Sequence, residues 1–143
     1  MAKAEAMRWP ILGPLFRAYG GFGVERGRLD REAYRTARGV LDSDDWLGLA
    51  PEGTRSRTGA LGEAHTGAVL LAIRSGATIL PIALAGTERV WPVGAAVPRP
   101  WTRATVRIGE PYRPATRDAE AETKELMRRI AALLPRAYRG RLG

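Results

Sequence analysis

The chain has 143 residues and no cysteine, which allows one packed core and excludes a disulfide framework, a thiol nucleophile and a thiolate-bound metal. A single histidine leaves little for a zinc or iron site, and no cofactor is expected. The net charge of +8 comes almost wholly from arginine, since Lys3 and Lys124 are the only lysines, and it favours anionic partners: phosphates, nucleic acid or an acidic membrane surface.

Residues 10–19, PILGPLFRAY, predict a short helix with Ile11, Leu12, Leu15, Phe16 and Tyr19 apolar and Arg17 outward. Residues 22–26, FGVER, predict a short strand that ends on a charge between glycines. Asp30 suits the N-cap of a following helix in which Ala33, Ala37, Val40 and Leu41 recur at spacings of three and four. Residues 46–50 read as a second short strand. Residues 66–74 predict a helix, with Gly76 placed as its C-terminal cap. Residues 78–85 are apolar on both faces, the pattern of a buried parallel strand.

Residues 86–101, rich in turn formers and proline and holding Trp91 and Trp101, read as a long surface loop. Residues 104–108 alternate as a strand. Residues 116–134 predict a long amphipathic helix, with Leu126, Ile130, Leu133 and Leu134 inward and Glu120, Lys124, Arg128 and Arg129 outward. The order implies an α/β fold, a largely parallel sheet covered by helices, in a single domain spanning 1–143. No apolar run approaches the ~20 residues that cross a bilayer, and WPILGPLF is too short and too proline-broken for a secretory signal. Residence on the cytoplasmic side is the default.

In such sheets ligands sit beyond the carboxyl ends of strands. The stretch APEGTRSR, residues 50–57, lies at one of those ends. Pro51 breaks the strand, and Gly53 can take a positive φ that other residues resist. Thr54, Ser56 and free backbone N–H groups can donate to an anion, while Arg55 and Arg57 supply planar, permanently charged forks suited to phosphate oxygens. Glu52 makes sense as an acceptor that orients an arginine or a substrate hydroxyl. The same composition also suits an ordinary solvated turn.

PEGTRS resembles the signature block of the glycerolipid acyltransferases, the family that includes lysophosphatidic acid acyltransferase. GGFGVER, residues 20–26, resembles that family's second block, with Gly23 where an aromatic is usual, and ILPIALAGTE, residues 79–88, resembles its fourth. AKAE, GPLFRAYG and VRIGEPY fall in family order as well, so the similarity covers nearly the whole chain. The resemblance implies that Arg26, Arg55 and the groups around Gly53, Thr54 and Ser56 hold the acceptor's phosphate, with Glu52 near the glycerol. Pro81 would shape the acyl side. Ala50 stands where an aromatic is usual before Pro51.

The family's catalytic block, His-x-x-x-x-Asp, is absent. The one histidine is His65, and the residue five later is Leu70. His65 is expected either to start a helix without a catalytic task or to touch the phosphate. Because MAKAEAMRWP resembles a family segment a short distance after the catalytic block, Met1 is expected to be an internal methionine. The chain alone is expected to be inactive and poorly folded. The implied partners are a lysophospholipid acceptor, acyl-CoA or acyl carrier protein as co-substrate, and an anionic membrane touched peripherally from the cytoplasmic face. Two candidate interfacial segments carry that contact, one around Trp9 and one holding Trp91 and Trp101 with Arg89, Arg99 and Arg103. A non-catalytic lysophospholipid-binding remnant and a basic nucleic-acid-binding module remain as alternatives. Scattered arginines and the lack of a nucleic-acid-binding signature count against the second.

Overall fold

A computed structural model describes residues 2–3, 23–24, 31–56, 58–95 and 97–140. The chain divides into two compact units, Met1–Ala50 and Pro51–Gly143. The expected helix at 10–19, the end of the strand at 22–26, the Asp30 cap and Arg26 lie outside the described residues.

In the first unit, β1 (Ala2–Lys3) and β2 (Gly23–Val24) form a short parallel ladder, with Ala2 opposite Gly23 and Lys3 opposite Val24. The helix α1 spans Arg31–Asp42 and buries Ala33 and Ala37, two of the four residues whose spacing predicts it. An Arg38–Asp42 pair at 2.7 Å links successive turns of its exposed side. Residues 46–50 are irregular rather than a strand, and Trp46 is exposed. A strand exists only through a lateral partner, and among the described residues none pairs with this segment.

The second unit packs two helices on a two-stranded sheet. The helix α2 (Gly67–Ser75) ends at Gly76, whose φ of 71° and N–H donated to the Ala72 carbonyl make the expected cap. The strand β3 is Ile82–Ala85. After it, residues 87–90 form a short helix, α3 (Thr87–Val90), inside the segment expected to be loop throughout. The strand β4 is Thr105–Ile108, and α4 spans Ala119–Leu133, closed by a 3-10 turn at Arg136–Tyr138.

The α/β character expected from the sequence is present, but β3 pairs antiparallel with β4: Ile82 faces Ile108 and Leu84 faces Val106. A bridge between Ile79 and Tyr112 and the Gly109 N–H donated to the Pro81 carbonyl at 2.9 Å extend the pairing. Because side chains alternate across a strand, Ile82, Leu84, Val106 and Ile108 share one face, and each is 46–65% exposed. Alternation here separates a helix-facing side from an open one, so β3 is not buried on both faces.

Ala83 and Ala85, on the covered side, join Val69 of α2 and Leu126, Met127, Ile130 and Leu134 in the core. Each large apolar side chain so buried contributes roughly 1.5–3 kcal/mol. Polar groups close the ends of α4. Asp118 accepts from the N–H groups of Glu120 (2.9 Å) and Ala121 (3.2 Å). At the other end, where α4 lacks a basic residue in its last turn, Arg107 of β4 donates to the Leu133 carbonyl at 2.9 Å. On the exposed side, bonds from Arg128 and Arg129 hold the Glu125 carboxyl well below the usual carboxylate range, at about 2. Burial raises the pKa of the Tyr112 phenol, and Arg129, stacked 4.1 Å from the ring centroid, opposes that rise.

Candidate functional site

Residues 51–65 form a closed loop leading into α2. Its ends meet where the His65 N–H donates to the Pro51 carbonyl at 2.9 Å. Across the middle, the Gly62 N–H donates to Glu52 Oε2 at 2.7 Å. A Cβ at Gly62 would lie 2.9 Å from the same oxygen, so a larger residue there would displace the carboxylate. Gly53 has the expected positive φ, 62°, and the edge of the His65 ring lies 3.3 Å from where its Cβ would stand.

Further along, the Ser56 hydroxyl donates to the Ala60 carbonyl at 2.8 Å. Thr58 Oγ1 accepts from the Ala60 N–H at 3.3 Å. The Leu61 N–H then donates to the Tyr138 carbonyl at 2.8 Å, and the Tyr138 hydroxyl donates to Glu88 Oε1 at 3.0 Å. The loop is thereby fixed along both arms, by its own residues on one side and by the C-terminal turn on the other.

This bracing sorts the sequence-predicted residues. Glu52 and Ser56 point into the loop and hold its shape. Glu52, expected to orient an arginine or a substrate hydroxyl, accepts a backbone N–H. Thr54 and Arg55 are exposed, and among the described residues neither side chain has a hydrogen bond or an ion pair. Among the same residues, no backbone N–H from Gly53 to Ser56 has an acceptor. Consecutive unpaired N–H groups and a nearby guanidinium are donors of the kind that bind a tetrahedral oxyanion. Five of the six expected binding residues thus share one loop, and Arg26 lies outside the described residues.

His65 is exposed just ahead of α2 and borders the turn at Gly53, so it is part of the loop's wall. Sequence reasoning missed Gly62, Glu88 and Tyr138. Glu88 and Tyr138 lie fifty residues apart in sequence, a separation no local spacing marks. Among the described residues no three His, Asp or Glu side chains cluster as a metal site, and no helix is long and apolar enough to cross a membrane.

A protein-family model described as Acyltransferase matches residues 1–85. The 1-acyl-sn-glycerol-3-phosphate acyltransferase of Limnanthes douglasii is 32% identical over 103 residues, covering 70% of this chain and 37% of that protein. The enzyme of the same name from Cocos nucifera is 30% identical over 125 residues, or 85% of this chain and 40% of that one. Among solved structures, the 1-acyl-sn-glycerophosphate acyltransferase PlsC from Thermotoga maritima superposes with a TM-score of 0.72 at 25% identity. That superposition covers 90% of this chain and 52% of PlsC. The chain spans about two fifths of the length of these two curated relatives.

Proposed function

This chain belongs to the acyltransferase family, and from that premise we propose that it serves fatty-acyl transfer to lysophosphatidic acid by holding the acceptor's phosphate on the 51–56 loop. The observation that carries the reading is that, among the described residues, the N–H groups from Gly53 to Ser56 and the neighbouring Arg55 side chain have no partner, on a loop braced by its own hydrogen bonds. Thr54 supplies a hydroxyl. Glu52 and Ser56 act by keeping the cradle open.

In the reaction, the acceptor's free hydroxyl attacks the thioester of acyl-CoA or acyl carrier protein, with no further cofactor. A C–O ester bond forms, the C–S bond breaks, and the hydroxyl proton ends on the released thiol. A general base for that proton is worth ~10²–10⁴-fold. The chain contains no His-x-x-x-x-Asp, so alone it binds acceptor without turning it over. It does so peripherally, on the cytoplasmic face of an anionic membrane.

The test is calorimetric titration of the 143-residue chain with sn-glycerol 3-phosphate and with a short-chain lysophosphatidic acid. Loss of the charge-assisted bonds in Arg55→Ala should weaken both about 10- to 100-fold. The control Arg128→Ala, distant in sequence on α4, should change neither. Equal affinity of Arg55→Ala and wild type would sink the phosphate assignment. Acyl transfer by the chain alone would sink the binding-only part.

A further inference from the structure

The segment between β3 and β4 holds a feature that phosphate binding does not use. Between them the sequence has three arginines, at 89, 99 and 103; Arg89 pairs with Glu88 at 3.6 Å, and no carboxylate follows before β4. Within this segment Trp101 is 100% exposed, with a φ of 63°. That is the left-handed region, where a bulky side chain is strained. Val97 is 70% exposed, and Val93 is also open.

The rest of the loop is braced. The Trp91 indole N–H donates to the Ala95 carbonyl at 2.9 Å, the Ala95 N–H to the Pro92 carbonyl at 3.1 Å and the Arg99 N–H to the Val90 carbonyl at 2.7 Å. Trp91, expected beside Trp101 at an interface, is thus a structural brace. Among the described residues the Arg99 and Arg103 side chains have no ion-pair partner.

An indole fully in water, at a backbone angle that disfavours it, on a braced loop flanked by free guanidinium groups, has the chemistry of the bilayer boundary. The ring is amphipathic and suits the headgroup level, and guanidinium groups pair with lipid phosphates. We propose that the 91–103 loop is a membrane-interfacial anchor. Trp101 and Val97 enter the boundary between headgroups and acyl chains, and Arg99 and Arg103 pair with anionic lipid phosphates. This gives the peripheral attachment proposed above a specific element. It is read by vesicle binding, which succeeds or fails separately from glycerol phosphate binding.

The full chain is to be co-sedimented with unilamellar vesicles of phosphatidylcholine alone and of phosphatidylcholine with phosphatidylglycerol at about three to one. Wild type should partition onto the anionic vesicles several-fold more than onto the neutral ones, and added salt should reduce that excess. Trp101→Gly removes the ring and relieves the backbone, so it should fold as wild type and bind glycerol 3-phosphate unchanged, yet partition about tenfold less. Arg99→Glu with Arg103→Glu, a change of surface charge only, should abolish the preference for anionic vesicles while keeping Trp101. The proposal is overturned if wild type binds neither vesicle. It is also overturned if Trp101→Gly partitions as wild type, or if Trp101 mediates self-association without lipid.

Discussion

A carboxylate next to a permanently charged guanidinium would ordinarily pair with it. Glu52 lies three residues from Arg55 and instead accepts the Gly62 N–H at 2.7 Å. The two effects of Glu52 on a bound phosphate oppose one another. Its charge repels the anion by about 1 kcal/mol or less across solvent, and its hydrogen bond, worth about 1 kcal/mol, keeps the cradle in shape. Removing the side chain therefore mixes the two. Gly62→Ala separates them, because it keeps the charge and places a Cβ 2.9 Å from Oε2. That variant should weaken glycerol 3-phosphate binding about 3- to 10-fold and speed exchange of the residue-62 amide, both measurable by titration and hydrogen-exchange mass spectrometry. Unchanged exchange would mean that the carboxylate does not set the loop's shape. At this scale the sequence was a good guide to residue type and a poor one to direction. The positive φ of Gly53 could be read from its intrinsic chemistry, whereas the inward turn of Glu52 and Ser56 depends on partners several residues away.

At the scale of elements, legibility followed whether an element carries its own hydrogen bonds. The helices at 31–42, 67–75 and 119–133 satisfy their backbones internally, and their apolar spacing placed each within a few residues. Segment 46–50 has the composition of a strand but needs a neighbour. For β3, the apolar run could not show that one face would remain uncovered. The inward face of α4 also contains a residue whose charge, not its spacing, would suggest solvent: Glu122 lies four residues before Leu126 on the same face. Glu122 is buried and accepts from the N–H groups of Ala115 (2.9 Å) and Thr116 (2.8 Å) and from the Thr116 hydroxyl (3.2 Å). It folds the chain back onto the helix start that Asp118 caps. Asp118→Ala should cost about 1 kcal/mol of stability. Glu122→Ala should cost about 1–3 kcal/mol, since three donors lose one acceptor. Urea unfolding orders the two, and a smaller loss for Glu122→Ala would show that water replaces its bonds freely.

For the molecule as a whole, the second unit places the 51–56 loop ahead of α2 and its aromatic loop between β3 and β4, while one core joins α2 and α4 to the sheet. The net charge of +8 keeps copies of the chain apart in dilute buffer. The open face of Ile82, Leu84, Val106 and Ile108 acts in the other direction, because apolar surface left in water gains by meeting its like, and more so on warming. Salt screens the repulsion without weakening that attraction. Self-association, followed by sedimentation velocity, should therefore rise with both salt and temperature, and Leu84→Lys should return the chain to monomer. On the proposed anchor, attachment through Arg99 and Arg103 should fade under the same added salt that favours sheet-to-sheet contact. Ionic strength should then set whether a given molecule is held at a bilayer or by another copy of itself.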